Sequence, residues 1–507
     1  MPGFELKLSI SADDLPKARA ALVAMAGRPR PTRATLATTY YDTEDDALRR
    51  RELVLRVRKE GRQFVQTLAA RDLAGIDRLE RGAWQDRIKG AVPDLDAPET
   101  GARLREATTA EALAPLFTVS IERTAFVLKP RHGSEIAVAI DNGEIRADDG
   151  DTAPVHEIAL TLQAGESVVL WDVALRLLEI VPCRIETQSK GERGFFLARG
   201  ARMRPLVVPG RALTLDAKMT LDEALQAAGR RLIAALLCNE AAALDSVPEG
   251  VHQMRVAVRR LRAVLSASRD MLPEEHYRWA NDELKWLGRE LAPARNWDVF
   301  AEALLEPVSG ALAGDRDLKR LAATARRQRK TAYEHAREAV LSQRYTATLL
   351  RLARWFEARG WRDQSVSEQS ARLMAPLGKI APTLLGRLHR KALKRARRFA
   401  TLPPPDRHRL RIAVKQLRYA IEFFASLYDR GDVTRYARRL KPLQEDLGHA
   451  NDVRSAHALV AGLGKGEDGA LERAGGVVLG WYDRGLVEAE PKTRKHVRRF
   501  RAGAPFW

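Results

Sequence analysis

Two stretches of this chain carry basic and imidazole side chains at one repeated spacing. In VHQMRVAVRRLRAVL (Val251–Leu265), His252 is followed at +3, +7 and +10 by Arg255, Arg259 and Arg262. In HRLRIAVKQLRYA (His408–Ala420) the same steps lead from His408 to Arg411, Lys415 and Arg418. Steps of three and four residues return to the same side of an α-helix, so each quartet forms one stripe. Apolar Val251, Met254, Val258, Leu261 and Leu265 lie on another side of the first copy, and Leu410, Val414 and Leu417 of the second. Each stretch reads as an amphipathic helix that packs one face and presents cations on another. The chemistry open to such a stripe is anion binding. Guanidinium forks pair with phosphate oxygens, lysine adds a point charge, and imidazole adds charge only as pH falls.

The copies are separated by 408 − 252 = 156 residues, and the same offset relates Leu291–Asn296 (LAPARN) to Leu447–Asp452 (LGHAND). This is the mark of an internally duplicated helical unit. A single basic stripe is usually a solvated helix face. Two stripes facing each other across one groove would repel unless an anion fills it. The duplication therefore points to a shared anion site.

The elements that must position these residues belong to a long chain. At 507 residues it is too large for one core, and two or three domains are expected. Net charge is +20, which favours a polyanionic partner: nucleic acid, an anionic membrane surface or a phosphate polymer. The two cysteines, Cys183 and Cys238, are far apart and suggest neither a disulfide framework nor a zinc site. The N-terminus MPGFELKLSI lacks the pattern of a secretory signal, and no apolar run approaches a membrane span. A cytoplasmic location is the expectation.

The first two hundred residues alternate. Strands are expected at Phe4–Leu8, Thr38–Asp42, Leu53–Lys59, Phe64–Leu68, Ala83–Ile88, Thr118–Leu128, Ile136–Asp141, Val155–Leu162 and Cys183–Thr187, with helices near Ser11–Met25 and Val168–Ile180. Many antiparallel strands with few helices suggest a closed or nearly closed barrel. Parity places Arg56 and Arg58 on one face and Leu53, Leu55 and Val57 on the other; Glu5 and Lys7 oppose Phe4, Leu6 and Leu8.

Taken together, ELK (Glu5–Lys7), YYDT (Tyr40–Thr43), LRVRK (Leu55–Lys59), QTL (Gln66–Leu68), RLE (Arg78–Glu80), ERT (Glu122–Thr124), IDNGEI (Ile140–Ile145) and SKGERG (Ser189–Gly194) resemble the CYTH family of triphosphate tunnel metalloenzymes over nearly all of residues 1–200. The resemblance implies an α+β domain built on an eight-stranded antiparallel tunnel. It implies that Lys7, Arg56, Arg58, Arg123, Lys190 and Arg193 contact triphosphate, and that Glu5 and Glu157 are the metal-side, catalytic carboxylates. The chain departs from the family pattern. Gly3 stands where the first glutamate belongs, Ala159 and Thr161 follow Glu157 where further glutamates belong, and Ala69 replaces a lysine. Mg²⁺ and Mn²⁺ are held by carboxylate oxygens and are needed for metal-assisted phosphoanhydride hydrolysis. The expectation is weak Mg²⁺ or Mn²⁺ binding and weakened or lost catalysis, with Glu80 or Asp141 as the residues that could compensate.

Residues 201–217, with Pro205, Pro209 and Gly210, read as a linker. Beyond Thr220 the chain reads as helical. Pro382 to Ala400 carries Arg387, Arg390, Lys391, Lys394, Arg395, Arg397 and Arg398, and Lys492–Arg501 forms a further cationic cluster. The two stripes, with Asn296 and Asp298 in ARNWDV and Asn451 and Asp452 in HANDVR, resemble the CHAD domain, the conserved histidine α-helical domain, over residues 218–507. That resemblance implies an all-α domain of two symmetry-related helical bundles, about 220–375 and 376–507. It implies inorganic polyphosphate as ligand, with His252, Arg255, Arg259, Arg262, His408, Arg411, Lys415 and Arg418 as contacts. The Asn and Asp residues would cap or orient the stripes.

The functional expectation is a polyphosphate-binding protein, located at polyphosphate granules; the alternative is an inorganic triphosphatase whose helical half recruits substrate. Nucleic acid is disfavoured, because aromatics are only 6% and none cluster as a stacking platform among the stripes.

Overall fold

The structure, a computed structural model, describes residues 4–27, 29–70, 83–109, 112–130, 133–200, 205–210, 213–463 and 469–507. Gly3 and Arg78–Glu80 lie outside the described residues.

The strand-rich part is one antiparallel sheet of β1 (Glu5–Ile10), β2 (Thr32–Asp42), β3 (Leu53–Glu60), β4 (Gln63–Ala70), β5 (Ala83–Ile88), β6 (Ala114–Leu128), β7 (Glu135–Ala147), β8 (Thr152–Ala164) and β9 (Cys183–Ile185), paired in the order β5-β4-β3-β2-β6-β7-β8-β1-β9. This corrects the expected eight-stranded, closed or nearly closed tunnel: among the described residues there are nine strands, and no pairing joins β5 to β9. The cause is local. After helix α2 (Val168–Leu178) the chain returns as the short β9, which takes the outer edge of β1 through Leu8–Ile185 and Ile10–Cys183.

Strand parity divides the sheet by chemistry. Leu6, Leu8, Ile136, Val138, Ile140, Ile158 and Leu160 are each 0–1% exposed. They share the face covered by α1 (Leu15–Ala26) and α2, where Trp171 meets Phe4 edge-on at 6.0 Å. Each such side chain stabilises the fold by ~1.5–3 kcal/mol through burial. Glu5, Lys7, Arg123, Asp141 and Glu157 lie on the opposite face.

Helix α3 (Lys190–Arg199) packs on that charged face. Ser189 caps it by accepting from the Glu192 amide at 3.0 Å. Its Phe195 meets Phe117 edge-on at 5.3 Å, and Phe117 stacks on Tyr40 at 4.6 Å. Gly194 lies so close that an added Cβ would come within 2.1 Å of the Phe117 ring. The glycine lets α3 seat here, which fixes the direction of its first turn.

Two compact units divide the chain. The first comprises 1–208 with 237–245 and 341–358; the second comprises 209–236, 246–340 and 359–507. The sheet unit thus includes helix α9 (Gln343–Glu357), which packs on α2 and β9. Arg354 pairs with Asp172, Ser167 bonds Glu357, and Arg184 pairs with the buried Glu240. Tyr345 also donates to Glu240, at 3.3 Å.

In the helical unit the duplication is visible in the element boundaries. Helices α4 (Leu221–Cys238), α5 (Pro248–Ala267) and α6 (Glu274–Glu290) begin 156 residues before α10 (Leu377–Ala396), α11 (Pro404–Phe424) and α12 (Arg430–Leu463), respectively. The copies then differ. α6 stops, and Pro293 sits in the first turn of the short α7 (Ala292–Asp298), followed by a π-helical turn at Val299–Leu305. The position equivalent to Pro293 is His449, and α12 runs on through it, 34 residues in all. Proline lacks the amide that would continue the ladder and clashes with the preceding turn. The unit is completed by α8 (Arg316–Leu341) and α13 (Gly469–Arg501).

Candidate functional site

The stripes occupy α5 and α11, and these helices pack against each other. Met254, Val258 and Leu261 of α5 and Leu410, Val414 and Leu417 of α11 are buried. All eight stripe residues are left partly exposed. Arg259 Nε donates to Tyr419 Oη of the other helix at 2.9 Å. Arg260 of α5 reaches Glu422 of α11 at 3.3 Å.

The middle of each stripe shares one electrostatic field. Burial, then Arg259, Arg295 and Arg411, push the Arg255 guanidinium down to about 10. Burial lowers Arg411 too, with Asp452 opposing and Arg454 and Arg259 adding to the effect. Lys415 is pushed down to about 7 by burial and by the charges of Arg411 and Arg259, against the offsetting pull of Asp452. Arg255 and Arg411 each keep a buried Nε with no acceptor among the described residues. A buried donor without a partner costs ~1–3 kcal/mol. Crowded, underpaired cations of this kind favour an anion that can neutralise them together.

The ends of the stripes differ from the middle. Arg262 Nε donates to Asn281 at 3.2 Å, and Arg418 Nε pairs with Glu422 at 2.7 Å, so both forks have local acceptors. His252 is lowered by burial and by Arg295; His408 is lowered by burial and by Arg454. Arg454 Nη2 lies 2.6 Å from His408 Nδ1 and donates to Asn451 at 2.7 Å. Among the described residues, Asp298 makes no hydrogen bond or ion pair to a stripe residue. It is fully buried, accepting from Arg329 at 2.7 Å and Tyr333 at 2.9 Å. Arg295, Arg454 and Tyr419 are the neighbours that helical periodicity missed. Arg295 and Arg454 stand at non-equivalent positions of the repeat, so no duplicated signal marks them.

The second cluster lies on the charged face of the sheet. Register aligns Arg123 with Asp141 and Asp141 with Glu157 across β6, β7 and β8. Arg123 makes a two-pronged pair with Asp141 at 2.7 and 2.8 Å. The first turn of α3 adds Lys190, 2.9 Å from Asp141 and also bonded to Glu157, and Arg193, 2.8 Å from Glu157. Burial opposes ionisation of Asp141, yet its bond from Arg123 and the Lys190 charge hold it below the usual carboxylate range. Lys190 rises above its ordinary value because Glu157 and Asp141 outweigh its burial. Lys7 pairs with Glu5 at 3.5 Å. Arg58 is lowered by burial and by the nearby charges of Arg56 and Arg123. Glu186, which sequence reasoning did not single out, is a further, mostly buried carboxyl, raised by desolvation and 3.8 Å from Arg193.

CYTH enzymes typically use divalent metals. The donors here do not fit one. Asp141 and Glu157, each 1% exposed, are bonded to three cations between them, and no group of three or more His, Cys, Asp or Glu among the described residues is placed to ligate an ion. Hard cations need several carboxylate oxygens together.

In chain order, a sheet with a cluster of cations and carboxylates on one face precedes a duplicated helical unit with paired basic stripes. Residues 1–194 match the CYTH domain family and residues 227–461 the CHAD domain family. The chain carries an N-terminal CYTH domain followed by a C-terminal CHAD domain. It is 26% identical over 447 residues to an uncharacterized protein of Mycobacterium tuberculosis, covering 84% of this chain and 82% of that one. It is 26% identical over 197 residues to an inorganic triphosphatase of Haemophilus influenzae, covering 38% of this chain and only 54% of that enzyme. The crystal structure of the CHAD domain from the plant Ricinus communis aligns with a TM-score of 0.50 at 29% identity, covering 59% of this chain and 98% of that domain. The pairing of CYTH and CHAD domains suggests a phosphate-related function. No helix among the described residues is long and apolar enough to cross a membrane.

Proposed function

We propose that the protein binds inorganic polyphosphate along the paired stripes of α5 and α11. The observation that carries this reading is the crowding of Arg255, Arg259, Arg411 and Lys415 into one field, with two buried guanidinium nitrogens lacking acceptors. A flexible strand with one charge per phosphate suits such a row, and release of its counterions drives binding. His252, His408, Arg262 and Arg418 flank the contact. The linker over 201–217 joins this domain to the CYTH domain, and a cytoplasmic location at polyphosphate granules follows from the ligand.

In this reading Lys7, Arg56, Arg58, Arg123, Lys190 and Arg193 hold phosphate in the CYTH domain, while Glu5 and Glu157 no longer serve a metal. The test is binding of labelled long-chain polyphosphate over a salt series. The double variant Arg255→Glu with Arg259→Glu loses most of the affinity and flattens the log–log salt slope while its thermal unfolding stays cooperative. Unchanged affinity rejects the proposal.

The second reading is an inorganic triphosphatase, supported by the 26% identity over 197 residues to the inorganic triphosphatase of Haemophilus influenzae. Phosphate release from tripolyphosphate with Mn²⁺, abolished by Glu5→Gln, would establish it.

A further inference from the structure

The cationic run of α10, which the stripes leave unused, surrounds a hollow of its own. We propose that Lys391, Lys394, Arg395 and Arg397, where α10 meets α11, form a second binding site for a short condensed-phosphate group. The site shares its ligand chemistry with the function proposed above but none of its residues.

These four cations line an open pocket of about 400 Å³ together with Leu402 and Asp406. That is within the ~300–1,000 Å³ typical of small-ligand sites. The one carboxylate present is committed: Asp406 accepts from Arg409 at 2.7 Å. Lys391 Nζ reaches Gln416 at 3.1 Å. Among the described residues, no acceptor holds the side chains of Lys394, Arg395 or Arg397. Burial and the charges of Arg395 and Arg387 push the Lys391 ammonium below its ordinary value.

Cations in a last turn complement a helix dipole. That accounts for Lys394 and Arg395, but not for Lys391 a turn earlier or Arg397 beyond the helix end. The duplication supplies a comparison within the molecule. At the same offset in the first copy stand Ala235, Cys238, Asn239 and Ala241. There Asn239 bonds the Val208 backbone at 3.0 and 2.9 Å, with no cation at any of the four positions. Ending this helix therefore does not require the four charges. Several like charges around one hollow repel and favour a compact polyanion with acceptors for every donor. A chain of two or three phosphoryl groups has that form, whether it comes from inorganic polyphosphate or from an organic triphosphate.

Acylation of lysines in the full-length protein, read by mass spectrometry, tests the site. Tripolyphosphate, ATP and sulfate are compared at matched ionic strength. Tripolyphosphate is expected to slow modification of Lys391 and Lys394 several-fold, both in the natural chain and in the Arg255→Glu, Arg259→Glu variant. Lys394→Ala with Arg397→Ala removes the protection of Lys391. Equal protection by ATP assigns the site to phosphoryl chains in general; protection by tripolyphosphate alone assigns it to the inorganic polymer. No protection, equal protection by sulfate, or protection lost in the stripe variant overturns the proposal. Should the stripe variant keep full polyphosphate affinity while this protection persists, the stripe reading fails and the α10 site stands.

Discussion

Arg255 and Arg411 occupy equivalent positions in the two copies of the helical repeat, and Arg411 is one of the charges that depress Arg255. Each retains a buried Nε without an acceptor among the described residues. A side chain that repels its own symmetry mate is poorly explained by folding stability alone.

Polyphosphate binding should take up protons near neutrality. Lys415 sits at about 7 in the unliganded protein, lowered by burial, Arg411, Arg259 and Arg418 and raised by Asp452. A bound anion raises it, so affinity is greatest below pH 7 and weakens as pH rises. The dissociation constant should increase by up to ~10-fold per pH unit above 7, because one linked proton is worth about 1.4 kcal/mol per unit. Titration calorimetry in buffers of different ionisation heat measures the uptake. Lys415→Arg, which stays charged, should remove this pH dependence.

Asp452 offsets part of the charge on Arg411 and Lys415. Its equivalent in the first copy is the neutral Asn296. Asp452→Asn should tighten polyphosphate binding and steepen the salt slope by about 0.7, the value expected per added contact on a single strand. It should also lower the melting temperature of the unliganded protein. Salt-series binding and calorimetric melting check both.

In the CYTH domain, Glu157→Gln strips Lys190 and Arg193 of their shared carboxylate. Leaving one side of a buried ion cluster unmatched should cost ~3–5 kcal/mol. Added tripolyphosphate should restore much of the loss, since it supplies the missing charge. Denaturant unfolding with and without the ligand, in the presence of EDTA, measures this.

Asp298→Ala removes the acceptor of Arg329 and Tyr333 in the helical unit. The expected loss is ~3 kcal/mol of unfolding free energy, with the salt slope of polyphosphate binding unchanged, because Asp298 spends its carboxylate on Arg329 and Tyr333 and not on a stripe cation. A changed slope would return Asp298 to the site.

Much of this architecture could be read from the residues themselves. Alternation gave Ala83–Ile88 as a strand with its observed ends. It started β2 at Thr38 instead of Thr32, because Thr32–Ala37 is largely exposed and its apolar residues, Ala34, Leu36 and Ala37, do not keep a two-residue alternation. The stripes were legible because helical steps preserve side. The partners of Asp141 and Glu157 were not, since strand register and the seating of α3 bring Lys190 and Arg193 to them across the fold. Nor did any local pattern assign Gln343–Glu357 to the sheet unit: its burial against α2 and β9 is long-range packing, which periodicity does not record.

That assignment matters for anyone dissecting the chain. A fragment ending near residue 200 would leave Asp172 and Arg184 without Arg354 and Glu240, and would bare the ground on which Gln343–Glu357 rests. The sheet unit is finished by polypeptide made after it, so on the ribosome it waits for more than a hundred further residues before its last helix can dock.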